Sequence, residues 1–309
     1  MTNVPHLLAI GLPEAGKTTF LAALWHVSES EEVSGSLRLE RISENAKHLN
    51  SIKNDWLCLR QVGRTIPGQE QSTVLSLRDE QIGSIGEVIF PDLSGESFEG
   101  AWKDRRWTKE YDDLFSGAGS LLLFIHPNKV REPYTIAEMR KMTESAFPEG
   151  VDLAENGIQI ERKPVEGDLG GAMHSSVDKW APEKAPTQVQ LVELLQFSIR
   201  RMHAKQPVHV GIIISAWDLV KRVRPDLDAR NWLAERLPYL DQFLRSNFEQ
   251  FRFRVYGVSA QGGDLKIDRE HLQHCKCASD RILIEGSECV LHDISEPVRW
   301  AIGLRNGME

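Results

Sequence analysis

The chain has 309 residues, enough for one large α/β domain carrying an insertion. Its formal net charge of -8 and pI near 5.7 argue against a broad electrostatic footprint for nucleic acid, which needs clustered Lys and Arg. No apolar run approaches the ~20 residues of a membrane helix, and the four cysteines are sparse and irregularly spaced, so a cytoplasmic protein with no membrane insertion and no nucleic-acid partner is expected.

Residues 6–10 form a short apolar run ending at Gly11, and residues 17–27 follow with helical apolar spacing at Phe20, Leu21, Leu24 and Val27. The order is strand, glycine-rich loop, helix. A second helix is expected over 46–59, before a turn-rich stretch at 63–68. Residues 73–77 alternate in polarity, 83–86 supply a turn and 87–90 resume the strand pattern, which predicts a hairpin. A helix over roughly 97–116 follows. Residues 121–125 are then apolar at every position, the pattern of a strand buried on both faces.

Residues 127–186 lack sustained periodicity and carry Pro127, Pro133, Pro148, Pro164, Pro182 and Pro186, so they read as an insertion. Beyond it, 187–202 is an amphipathic helix, 208–214 a buried strand, 229–248 helical, 253–258 a strand and 297–304 a helix. Strands alternating with helices predict an α/β fold of the P-loop NTPase kind: a mostly parallel sheet with one antiparallel strand and helices on both faces. A single domain over 1–309 is expected, with the insertion at 127–186 and a C-terminal helical extension at 263–309.

Gly11-Leu12-Pro13-Glu14-Ala15-Gly16-Lys17-Thr18 matches GxxxxGK[ST] in full, in the strand-to-helix setting that the motif requires. The glycines let backbone amides approach phosphate oxygens. Lys17 would reach the β- and γ-phosphates and Thr18 would bind Mg²⁺, while the helix aims its positive end at the same charge. Gly11, Glu14, Ala15, Gly16, Lys17, Thr18 and Thr19 are the expected phosphate contacts.

Asp92-Leu93-Ser94-Gly95 follows a hydrophobic strand as DxxG does in GTPases, where the Asp orients Mg²⁺ and the Gly amide meets the γ-phosphate. Taken by itself this pattern is also ordinary turn chemistry. Ser215-Ala216-Trp217-Asp218 ends the next buried strand, where ligands gather in open α/β sheets, and a carboxylate suits the paired N–H groups of guanine. Ser259, Ala260 and Gln261 repeat the theme on the last strand, with an amide near Ala260 available to the guanine carbonyl.

In this order the motifs resemble those of a Ras-like, translation-factor-related GTPase, over roughly residues 6–262. More narrowly, the DLSGE and SAWD forms with a long insertion between them resemble the bacterial double-GTPase families associated with conflict and defence gene clusters. The resemblance implies a GTP-operated switch that binds GTP or GDP with Mg²⁺ and signals to a protein partner through its switch loops or the insertion.

The sequence departs from that pattern in three places. The usual Asn-Lys-x-Asp has lost its Lys, and Trp217 is either a substitute stacking surface for the base or a core residue. Glu96 stands where such enzymes often carry a water-positioning Gln; a carboxylate can orient water but also repels the γ-phosphate. The Mg²⁺-binding switch Thr is Thr65, with Thr73 as the alternative, and Arg64 beside Thr65 reads first as a surface residue. Lys17, Glu96 and Thr65 are thus the candidate catalytic residues, and Thr18, Thr65 and Asp92 the candidate metal ligands. Two other readings stay open: an ATPase in which Asp92 is a Walker B carboxylate and Asp218 is structural, and a scaffold that binds nucleotide without hydrolysis.

Overall fold

A computed structural model describes residues 5–41, 46–63, 72–91, 106, 109–133, 185–203, 207–286 and 292–303. In chain order its main elements are β1 (His6–Gly11), α1 (Lys17–Glu29), β2 (Arg38–Arg41), α2 (Ala46–Leu57), β3 (Thr73–Arg78) and β4 (Ile85–Phe90). Then come α3 (Lys109–Ser116), β5 (Ser120–Ile125), α4 (Thr187–Arg201), β6 (Val208–Ser215), α5 (Trp217–Val223), α6 (Ala229–Arg236) and α7 (Pro238–Ser246). The chain closes through β7 (Phe251–Ser259), α8 (Arg269–Gln273), β8 (Leu283–Glu285) and α9 (Glu296–Ile302).

The strands form one 8-stranded sheet in the order β2-β3-β4-β1-β5-β6-β7-β8. Its centre, β4-β1-β5-β6-β7, is parallel. Antiparallel pairing is confined to the flanks: β3 with β4 in the expected hairpin, β2 with β3, and β7 with β8. The two outermost strands, β2 and β8, go beyond the sequence reading. β2 is Arg-Leu-Glu-Arg, a charged edge strand in which Arg41 is exposed and Arg38 and Glu40 are half-buried. β8 is a three-residue strand, so the closing segment extends the sheet as well as contributing helix.

The central strands are apolar throughout because alternate residues feed two different cores. Leu7 and Ala9 of β1, and Leu122 and Phe124 of β5, face a core completed by α1, α2 and α9. Leu8, Ile10, Leu121, Leu123 and Ile125 face the opposite core, completed by α3, α4, α5, α6 and α7. Period-2 alternation thus becomes an unbroken hydrophobic run once both faces are covered. The helix expected over 229–248 is two helices, broken at Leu237 (φ -134°) because Pro238 opens the second one. A residue before proline is pushed out of the α region, and proline is well placed at a helix start.

The described residues on either side of 134–184 meet. The Thr187 amide donates to the Arg131 carbonyl at 3.0 Å and the Arg131 amide donates to the Thr187 hydroxyl at 2.8 Å, so the chain leaves and returns at one point beyond β5. Residues 134–184 lie outside the described residues. Among the described residues no helix is long and apolar enough to cross a membrane.

Candidate nucleotide-binding site

A cavity of about 890 Å³ opens at the carboxyl ends of the parallel strands, where open α/β sheets bind ligands. Its wall includes the loop from Pro13 to Gly16 with Lys17, Thr18 and Thr19 of α1, Ser215, Ala216 and Asp218 after β6, and Ser259, Ala260 and Gln261 at the end of β7. Segments more than 190 residues apart in sequence are therefore brought to one space by the order of β1, β6 and β7, with Gly16 and Ser215 in contact.

The phosphate loop is shaped by steric necessity. Gly16 has φ +92°, and a Cβ there would lie 2.8 Å from the Ser215 Cβ, so only glycine lets the loop close against β6. The Lys17 ammonium donates to the carbonyls of Gly11 at 2.8 Å and Leu12 at 3.2 Å. Burial lowers its pKa from 10.5 to about 8, since a desolvated ammonium is disfavoured. A polyphosphate would supply the charge compensation that these two carbonyls give only in part. Gly11 itself does not line the cavity; its part is to end β1 and to accept from Lys17.

Glu14, which has φ +58°, is ion-paired with Lys129 of the turn after β5, and both side chains belong to the cavity wall. His126, at the head of that turn, accepts from the Asn128 amide at 3.2 Å and also lines the cavity. Its pKa is held below the ordinary histidine value, first by burial and then by the charge of Lys129. Neither His126 nor Lys129 belongs to a sequence motif, and only the placement of β5 beside β1 could have pointed to them.

At the base end, the Ser259 hydroxyl donates to Oδ1 of Asp218, and the Gly262 amide donates to the same Ser259 oxygen at 3.2 Å. Asp218 sits in the first turn of α5, behind Ala216 in a left-handed conformation with φ +45°. The buried Trp56 indole of α2 donates to the Ala260 carbonyl at 2.9 Å and fixes the loop from the opposite side. That anchor was not legible in the sequence, because Trp56 and Ala260 lie 204 residues apart.

Trp217 requires a correction. Its side chain is fully buried, belongs to the core under α5 and does not line the cavity. The indole lies so close to the Gly257 backbone that a Cβ there would come within 2.4 Å of the ring, and Nε1 donates to the Glu285 carboxylate at 3.2 Å. Of the two readings left open by the sequence, the core residue is the one realised. Leu219, Leu265 and the stem of Lys266 supply apolar surface near the base end instead.

Thr73, the alternative switch Thr, is buried at the start of β3 and lines the cavity. Arg64, Thr65, Asp92, Gly95 and Glu96 lie outside the described residues. For Mg²⁺ the donor set is chemically suitable: the Thr18 hydroxyl at the cavity wall is a hard oxygen donor next to Lys17, as suits a cation shared between protein and phosphate oxygens.

A sheet parallel at its centre and a glycine-closed GxxxxGKT loop that lines a cavity at the strand ends are the features of a P-loop nucleotide-binding fold. The sequence matches the Double-GTPase 1 (DO-GTPase1) family over residues 8–301, and the chain belongs to that family. That family is one of GTPases.

No curated protein matches the sequence. Among solved structures, the chain is similar to a bacterial selenocysteine-specific elongation factor EF-Sec, at 13% identity and a TM-score of 0.34, covering 88% of this chain and 28% of that one. It is also similar to the Roco2 RocCORdC protein of Methanosarcina barkeri bound to GDP, at 11% identity and a TM-score of 0.33, covering 88% and 50%. A third is the SRb-GTP/SRX signal recognition particle receptor complex of Chaetomium thermophilum, at 13% identity and a TM-score of 0.38, covering 84% and 92%. The chain thus spans half or less of the length of the first two.

Proposed function

We propose that this protein is a GTP-operated switch in a bacterial conflict or defence system, reading guanine through Asp218 and signalling to a protein partner. The observation that carries the reading is one cavity lined both by Lys17 and by the Asp218–Ser259 pair. A nucleoside triphosphate calls for both, a cation for its phosphates and a hydrogen-bonding group for its base. The association with defence rests on the DLSGE and SAWD motif forms.

In this scheme Thr18, Thr65 and Asp92 hold Mg²⁺, which when bound neutralises phosphate charge. Lys17 binds the β- and γ-phosphates, the Gly95 amide meets the terminal phosphate, and Glu96 orients the attacking water. Asp218 accepts the guanine N–H groups, and Ala260 offers its amide to the guanine carbonyl. Loops 63–73 and 92–100 are ordered by triphosphate and released when the γ-phosphate leaves, with those loops or the insertion at 127–186 as the partner surface.

Two measurements test the proposal together: the identity of the nucleotide retained by purified protein, and phosphate release from GTP and ATP under single-turnover conditions. Retained guanine nucleotide with GTP-selective release supports it. Retained adenine nucleotide would return Asp218 to a structural role and favour an ATPase.

A further inference from the structure

We infer that Lys129 is a second phosphate-facing cation of this site, parked on Glu14 and transferred to the polyphosphate when triphosphate binds. This inference rests on the reading of the cavity as a GTP site.

The first observation is where the charges stand. Glu14 lies inside the loop that would wrap the phosphates, and its carboxylate is paired with the ammonium of Lys129, which lines the same cavity. A carboxylate within a phosphate loop opposes the charge which that loop must bind. The backbone holds Glu14 in the left-handed region at φ +58°, a conformation that non-glycine residues adopt only where the surroundings dictate it. The Lys129 ammonium offsets part of that charge.

The second observation is that Lys129 is well aimed and loosely held. Its turn is fixed at the base: the Lys129 amide donates to the His126 carbonyl at 3.0 Å, and the His126 ring caps the same turn through the Asn128 amide. Its side chain is 55% exposed, so the stem is free to swing while its origin stays fixed. Exposed ion pairs are weak, and a triphosphate carries several charges where Glu14 carries one, so the ammonium transfers to the stronger partner. His126, kept neutral by burial and by Lys129, does not add a competing charge at the root of the turn.

The third observation is the set of cations on the wall. Among the described residues the cavity is lined by three lysines, Lys17, Lys129 and Lys266, and of these Lys129 is the one ion-paired with an acid of the Pro13–Gly16 loop. A cation supplied in cis is worth most where negative charge is highest, so triphosphate binding should depend on Lys129 more than diphosphate binding does.

A bland alternative is that Lys129 only neutralises Glu14. The two are separated by a double-mutant cycle on the full chain with Lys129→Met, Glu14→Gln and the combination, titrated with GDP and with a non-hydrolysable GTP analogue. The expected result is that Lys129→Met weakens the GTP analogue about tenfold to a hundredfold and GDP less than threefold, and that the same loss persists in the Glu14→Gln background. Lys129→Arg should recover most of the analogue affinity. Disappearance of the Lys129→Met defect in the Glu14→Gln background would overturn the inference, as would equal losses for the two nucleotides. If the wild-type chain itself fails to bind the GTP analogue, it is the functional reading that falls, which the same titration distinguishes.

Discussion

Ser259 donates its hydroxyl proton to Asp218 while its oxygen accepts the amide proton of Gly262, so the end of β7 holds the first turn of α5 in place. One carboxylate oxygen of Asp218 is thereby fixed, and the residue lines the cavity. Ser259→Ala should therefore weaken GTP by about 10- to 100-fold, since hydrogen bonds to charged groups contribute ~1.5–3 kcal/mol. Titration with a fluorescent GTP analogue, alongside thermal melting, checks it. A full loss of stability with normal affinity per folded molecule would assign Ser259 to the core alone.

Lys17 makes nucleotide binding dependent on pH. Free, it titrates near 8; bound phosphate favours the ammonium and raises that value, so binding takes up a proton once the pH exceeds about 8. Affinity should fall by up to about tenfold per pH unit above that point, and calorimetry in buffers of different ionisation enthalpy should register the uptake. Folding carries the opposite slope. Unfolded Lys17 titrates at 10.5, so between about 8 and 10.5 the unfolded chain holds the extra proton and this group's contribution to stability rises with pH. Binding that is flat from pH 7 to 9.5 would contradict the burial of the ammonium.

Gly16→Ala tests the closure of the phosphate loop on β6. The added methyl would meet both Cβ and Oγ of Ser215, at 2.8 and 2.9 Å, in a backbone conformation that costs alanine about 1–2 kcal/mol. Nucleotide affinity should be lost, and Ser215→Gly in the same chain should restore part of it by removing the clash. No recovery in the double mutant would mean that the strain at φ +92° dominates.

The Trp217 side chain provides a contrast between stability and recognition. Trp217→Ala should destabilise the fold by about 3–5 kcal/mol, as for other large buried side chains, and should leave the ratio of GTP to ATP affinity unchanged. Denaturant unfolding and nucleotide competition read the two effects separately. A changed base preference in a stably folded Trp217→Phe variant would return the ring to the site.

Much of the fold was legible because its signals are local. The phosphate loop is a contiguous motif, and β1, β5 and β6 announce themselves as unbroken apolar runs because each is covered on both faces. β2 was not legible, since Arg38, Glu40 and Arg41 carry no apolar pattern and the strand exists through its pairing with β3. The break at Leu237 was missed in the reading of 229–248 as one helix, although Pro238 marks a helix start. Within the site, Asp218 and Ser259 could be assigned from strand ends, whereas Lys129 and Trp56 reach it only through tertiary packing. Trp217 was ambiguous because a residue beside a site motif can face either way, and its contact with Gly257 is a fact of packing.

The most direct test of the account is the base preference of Asp218→Asn. If Asp218 accepts the ring N–H and amino group of guanine, an amide at that position inverts one edge of the pattern and suits xanthine, whose extra carbonyl takes a donor. GTP, ATP and xanthosine triphosphate should be competed against one labelled nucleotide in wild type and mutant. The account predicts that wild type prefers GTP and that the mutant shifts toward xanthosine triphosphate by about two powers of ten, the effect of two charge-assisted hydrogen bonds. A wild-type preference for ATP, or a mutant with unaltered preference, would contradict it.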